Sequence, residues 1–305
     1  MKTVDFSHRD ELGRVAFFVL LWKRKGLDLT LFDDYWRDVH GPVCARLPGQ
    51  FQYWQYHVNP NNGGIIPQID GIEYATVDAD QFAGIAELTF KTPEDRVTWF
   101  QAAAILMDDE HNIFSKAIGY NTSPENSITY LDKLANGAPN GATLASLVRL
   151  FILIKKNPAV TPTEFQAYFK DQFAPAIATS SYLAKFRLNL FDEVDGTRPP
   201  AAGVEHSESA DKSYHACLEL AFENNLELES FLASPDYKAT EATQPKYIQA
   251  IATFPTHFVN TFVYEGEMTL AGQRGSSVAQ LITEIGAINQ LKPDIVELIL
   301  NNTLT

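Results

Sequence analysis

Two observations predict an α+β chain built from two tandem βαββαβ units: the sequence resembles itself at a spacing of 133 residues, and each copy alternates strand and helix patterns in one order. A third consideration predicts how the copies combine. The helices of such a unit cover one sheet face only, so two copies must bury their bare faces against each other. The expected product is an intramolecular pseudo-dimeric α/β barrel, with two sheets facing each other across a cavity and the helices outside.

The repeat is carried by landmarks. Sliding Val15 to Val58 onto Val148 to Phe191 puts Phe32 on Phe165, Tyr35 on Tyr168, Trp36 on Phe169, Asp38 on Asp171 and Pro42 on Pro175. At a spacing of 132, Glu87 falls on Glu219, Phe90 on Phe222 and Trp99 on Phe231. Chance similarity of amphipathic segments would not hold phase through successive turns.

In the first copy Val15 to Trp22 is a near-continuous apolar run, as in a strand buried on both faces. Thr30 is positioned to cap a helix whose stripe is Leu31, Phe32, Tyr35, Trp36 and Val39 and which stops near Gly41-Pro42. Phe51 to Val58 is an aromatic strand ended by the turn-forming run Asn59 to Gly64. Gly84 to Phe90 is the third strand, Pro93 opens a helix to about Met107, and a last strand lies near Ser127 to Leu131. The second copy repeats this as strand Val148 to Lys155, helix Pro162 to Phe173, strands Leu183 to Phe191 and His215 to Phe222, a helix near Leu226 to Ala233, and strand His257 to Tyr264. Both units are thus ferredoxin-like in order. The implied domains are residues 1–135, a linker over 136–141, residues 142–266, and a helical tail over 267–305.

Composition narrows the function. Net charge is −14, and no Lys/Arg stripe interrupts it, which argues against nucleic acid. The run Val15 to Trp22 is too short to span a bilayer, so no membrane role is expected. Two cysteines, Cys44 and Cys217, are too few for a disulfide scaffold and fit a reduced cytoplasmic setting. No Gly-rich phosphate loop, Gly-x-Ser-x-Gly elbow or Cys-His-Asp set occurs, so no cofactor is expected. His111 follows Asp108-Asp109-Glu110, but neighbours on one short segment cannot all face one ion, and a solvated helix end is expected there instead of a metal site.

The helix Phe32-Asp33-Asp34-Tyr35-Trp36-Arg37-Asp38-Val39-His40-Gly41-Pro42 resembles the signature of EthD-domain proteins. So do the aromatic strand Gln52 to His57, the strand Gly84 to Phe90, and the acidic-aromatic motif Asp108-Asp109-Glu110 with Phe114. The resemblance covers about residues 14–132. The second copy departs from it, with Phe173 at the place of His40 and Phe169 at that of Trp36. A site marked by the motif would therefore exist in the first copy only. The family resembles the dimeric α/β-barrel proteins, among them polyketide cyclases, muconolactone isomerases, cofactor-free monooxygenases, and dehydratases or decarboxylases of aromatic pathways. The resemblance implies a barrel and a pocket more directly than a reaction.

Four residues are candidates for chemistry. His40, with Tyr35 and Asp38 near it, either moves a proton at an enolisable substrate or caps its own helix. Glu87 alternates with Ala86 and Leu88 and should point into the barrel, as should Glu219; a desolvated Glu87 would be an acid or base, and one held by Tyr, Arg or Lys would be structural. Trp36, Trp54, Tyr56 and Glu219 are the candidate substrate contacts, Trp54 and Tyr56 as flat amphipathic rings. His257 lies where related barrels place a haem histidine, but in this reading it opens a strand.

These readings converge on a small-molecule enzyme. It would act on an apolar, aromatic or polyketide-like metabolite in the barrel by cofactor-independent lyase, isomerase or cyclase chemistry. The alternatives are a carrier or accessory protein, a cofactor-free oxidoreductase, or an interaction module with a filled barrel. The long loops Asn59 to Gln81 and Asp192 to Ser213 would serve as lids, and a homodimer of pseudo-dimers is the expected assembly.

Overall fold

A computed structural model describes residues 12–60, 64–74, 78–134, 147–194 and 203–303. The expected linker 136–141 lies outside them.

The first half runs β1 (Val15–Lys23), α1 (Leu29–Tyr35), a π-turn (Trp36–His40), α2 (Gly41–Ala45), β2 (Gln52–Val58), β3 (Gly84–Phe90), α3 (Pro93–Ala102), α4 (Ala104–Ile113), β4 (Phe114–Asn121) and β5 (Ser127–Asp132). The second half runs β6 (Val148–Lys156), α5 (Pro162–Tyr168), a π-turn (Phe169–Phe173), α6 (Ala174–Ala178), β7 (Lys185–Leu190), β8 (Ala216–Phe222), α7 (Asn225–Ala233), α8 (Pro235–Glu241), α9 (Gln244–Tyr247) and β9 (Ile248–Tyr264). A short β10 (Glu267–Met268) and the helices α10 (Leu270–Arg274), α11 (Ser276–Ile285) and α12 (Pro293–Asn301) follow.

The strands form one antiparallel sheet in the order β4-β1-β3-β2-β9-β6-β8-β7-β5, with β10 beside β9. This differs from two sheets packed face to face. The long β9 explains why: its first part pairs with β6 of its own half and its second part with β2 of the other. The counterpart in the first half is broken in two. β4 pairs with β1, and β5 crosses to β7. The two ends of the sheet are therefore consecutive in sequence and the barrel closes around them, Asp192 N–H reaching Asn121 C=O at 2.9 Å.

Strand β4 was not visible in the sequence, where only the segment Ser127 to Leu131 looked extended. Its Phe-Ser-Lys-Ala-Ile-Gly-Tyr-Asn has no clean alternation, and Gly119 breaks the apolar pattern. The glycine is required by packing, since a Cβ there would stand 2.6 Å from the ring of Phe17. Smaller corrections concern caps and ends. Asp28, not Thr30, caps α1, its carboxylate accepting from Thr30 and Leu31 N–H. The helix after Pro93 breaks at Ala103 and resumes as α4 to Ile113. β9 begins nine residues before His257, at Ile248.

Side chains form three cores. One lies between the first half's helices and the sheet, with Phe32, Trp36, Leu88, Phe90 and Phe114. Its counterpart in the second half holds Phe165, Tyr168, Phe169, Phe173 and Phe186. The third is the barrel interior, packed with rings that include Phe18, Trp54, Tyr56, Tyr120, Phe151 and Phe254. The two long loops do not hang free as lids over their described parts. Glu73 bridges to Ala250 and sends Ile66 and Ile72 into the second half's core. Reciprocally, Glu205 bridges to Lys116 and sends Val204 into the first half's core.

Candidate functional site

The π-turn is dictated by proline. Pro42 has no N–H to continue the α ladder, and Gly41 N–H instead reaches back to Trp36 C=O, widening the turn by one residue. Pro175 does the same in the second half, where Ala174 N–H reaches Phe169 C=O. The turn is therefore common to both halves. The ring at its end is not, being imidazole at His40 and phenyl at Phe173.

His40 is nearly buried, and its Nδ1 lies 2.9 Å from Asp109 Oδ2. It makes no side-chain bond to its own helix carbonyls, which sets aside the capping role. Asp109 also accepts from Tyr35 OH at 2.6 Å and from Asn112 Nδ2 at 2.9 Å. The hydrogen bond from His40, joined by that of Tyr35 and opposed by burial, holds the Asp109 carboxyl well below the usual carboxylate range. The Tyr35 phenol is pushed up to about 12, chiefly by its bond to Asp109, so it stays a donor. An anionic Asp109 can only accept, so His40 donates to it through Nδ1–H, and Nε2 is the ring nitrogen left for other partners. The edge of Phe114 packs on the imidazole, ring centres 5.7 Å apart.

Asp38 does not join this group. It is ion-paired with Arg37 and accepts from the backbone N–H and hydroxyl of Ser277, at 2.9 and 2.6 Å, so it anchors the C-terminal tail. The partner that His40 does use, Asp109, lies 69 residues on; the only signal for it was the acidic-aromatic motif. Trp36 is also displaced from its expected role. It sits between helix and sheet, tilted against His57 with ring centres 4.5 Å apart and covering Gly84, where a Cβ would meet its ring at 2.4 Å.

The remaining candidates occupy the opposite face of the sheet. Glu87 points into the barrel as the alternation required, but its carboxylate is ion-paired with Arg187 of β7 and accepts from Tyr56 OH at 2.9 Å. Arg187 also donates to Ser127 Oγ at 2.6 Å. Glu219 faces the interior too, with Lys185 at 3.0 Å and Arg149 at 3.2 Å. Trp54 and Tyr56 pack among the interior rings. His40 with Tyr35 and Glu87 with Tyr56 are thus separated by the sheet and cannot act on one atom. The interior charges are compensated by each other, the structural alternative weighed for Glu87.

A second imidazole cluster had no sequence signal. His57 Nδ1 lies 2.7 Å from Asp33 Oδ1, and His257 Nε2 lies 3.3 Å from Asp33 Oδ2. Burial keeps His57 below the ordinary histidine range despite Asp33. His257, once weighed for haem, is thereby tied to a carboxylate in the middle of β9. Among the described residues no group of three or more His, Cys, Asp or Glu is placed to hold a metal ion, and no helix is long and apolar enough to cross a membrane.

No curated protein sequence matches the chain. An anthrone oxidase-like protein superposes with a TM-score of 0.49 at 10% identity, over 83% of this chain and 94% of the other. A chlorite dismutase variant from Candidatus Nitrospira defluvii, in complex with cyanide, superposes with a TM-score of 0.41 at 10% identity, over 88% and 99% of the two chains. Residues 24–117 match the EthD domain. That segment spans the π-turn, Glu87 and Asp109.

Proposed function

We propose that the protein is an enzyme that moves a proton on an apolar, aromatic or polyketide-like metabolite, as a cofactor-independent lyase, isomerase or cyclase. The observation that carries this reading is the Tyr35–Asp109–His40 arrangement. His40 Nε2 takes the proton from a carbon beside a carbonyl, and the C–H electron pair moves to the carbonyl oxygen as an enolate. Asp109 stabilises the imidazolium that forms, which then returns the proton at another atom of the same molecule. Apolar surface beside the trio suits such a substrate. Leu31 lies one turn before Tyr35 and Ile105 one turn before Asp109, and they are 55% and 60% exposed.

We read the two halves as copies of one unit, residues 1–135 and 142–266, with a tail over 267–305. The shared landmarks, the shared π-turn and the reciprocal loop bridges support this. In it the first copy keeps the chemistry, and the second completes the barrel through Glu87–Arg187, with Trp54 and Tyr56 as packing.

Native mass spectrometry of co-purifying small molecules identifies the ligand, and NMR then follows deuterium uptake at its enolisable carbon. His40→Ala is expected to lower the exchange rate by roughly 10² to 10⁴ with little change in melting temperature. Asp109→Asn should lower it too, by releasing the tautomer. Undiminished exchange in His40→Ala would remove His40 from the mechanism, and a bound ligand that never exchanges would identify a carrier.

A further inference from the structure

The tail helix α11 has one broad apolar face, and the body of the protein covers only one edge of it. Ser276, Ala279 and Ile282 are buried against the body, which Asp38 and Arg37 hold through Ser277. On the outer edge stand Val278, Leu281 and Ile285, at spacings of three and four, and Ile288 extends the row beyond Gly286. These four are 38%, 57%, 78% and 75% exposed. An apolar stripe of a globular helix is normally buried across its width; an uncovered edge at heptad spacing is a seam for another helix. Helix α12 adds Leu298 and Ile299, and none of its residues is buried in the chain.

We propose that this outer edge is where a second copy of the chain docks, the two α11 helices lying antiparallel across a twofold axis near Leu281. A row of Val, Leu and Ile at alternating three and four spacing is complementary to itself in that arrangement. The exposed aliphatics, with Leu291, amount to roughly 600 Å² per copy, so a symmetric pair buries about 1,200 Å², above the ~1,000 Å² that a specific interface needs. A membrane surface fits poorly, because α11 and α12 carry Glu284, Asp294 and Glu297 and no Lys or Arg.

Light scattering on the full chain after gel filtration, at concentrations up to about 50 μM, tests the proposal. The wild type should run at about 68 kDa, twice its 34.0 kDa chain mass. The double variant Leu281→Asp, Ile285→Asp should run as a folded monomer, since both side chains face outward. In a separate experiment, Leu281→Cys should form a disulfide-linked dimer under mild oxidation, and Ile105→Cys should not. A monomeric wild type, a dimer unaffected by the double substitution, no cross-link through position 281, or binding of a monomer to phosphatidylserine vesicles would each overturn the assignment.

Discussion

Replacing Arg187 by methionine should destabilise the fold more than any substitution outside the barrel core. Arg187 is 1% exposed and Glu87 is 0% exposed, and they meet across the interior from different halves of the chain. Removing the guanidinium leaves a carboxylate in a shell of rings, with Tyr56 OH as its neutral donor. Breaking a buried pair in this way costs about 3–5 kcal/mol, because the surviving charge is desolvated without compensation. For a chain of this size that is roughly 6–15 °C in melting temperature. Replacing both partners by apolar groups removes both desolvation terms, so Glu87→Leu with Arg187→Met should return to within about 2 kcal/mol of the wild type. Glu219 would be undisturbed, since Lys185 and Arg149 already face it. Urea unfolding of the wild type, both single variants and the double variant gives the coupling energy directly. If Arg187→Met loses less than about 1 kcal/mol, or the double variant is as unstable as the two singles summed, the pair does not lock the barrel.

Other perturbations have defined outcomes. Gly84→Ala should cost about 1–3 kcal/mol, because its methyl would overlap the Trp36 ring, and a Trp36→Leu background should relieve part of it; an equally damaging Gly84→Ala in both backgrounds would disprove the clash. Acid should weaken the fold early. His57 lies below its ordinary range through burial, and His215 is pushed down to about 4, also chiefly by burial, so both are neutral in the folded chain where the unfolded chain binds protons. The contribution of His215 is intact above about pH 6.5 and falls as pH drops towards 4, and that of His57 falls in the same direction; denaturation curves flat across that window would contradict it. Residues 1–135 expressed alone should not give a stable soluble monomer, because that half lacks the β9 and β7 pairings and the Val204 plug; dispersed NMR peaks from such a monomer would count against interdependent halves.

Much of the architecture was written in local pattern. The apolar run at Val15, the aromatic strand at Gln52 and the alternation around Glu87 are properties of neighbouring residues, and such periodicity survives in a linear string. The π-turn was not read there: the pattern predicts a helix that stops near Gly41-Pro42, whereas the chain turns at Trp36–His40 and runs on as α2 through Ala45. The inward direction of Glu87 followed from alternation alone. Its partner did not, because Arg187 is 100 residues away and only barrel closure brings it near. Asp109 and His40 are likewise joined by the packing of α4 against the π-turn, and Asp38, close to His40 within the motif, was drawn instead to Ser277 of the tail. The strand Phe114–Asn121 was hidden because Gly119 answers to the ring of Phe17, a neighbour only in space. Sequence periodicity determined the direction each side chain takes from its own element. Which charge it meets there was decided by the tertiary structure, because an ion pair depends on distances that close only when distant strands are brought into register.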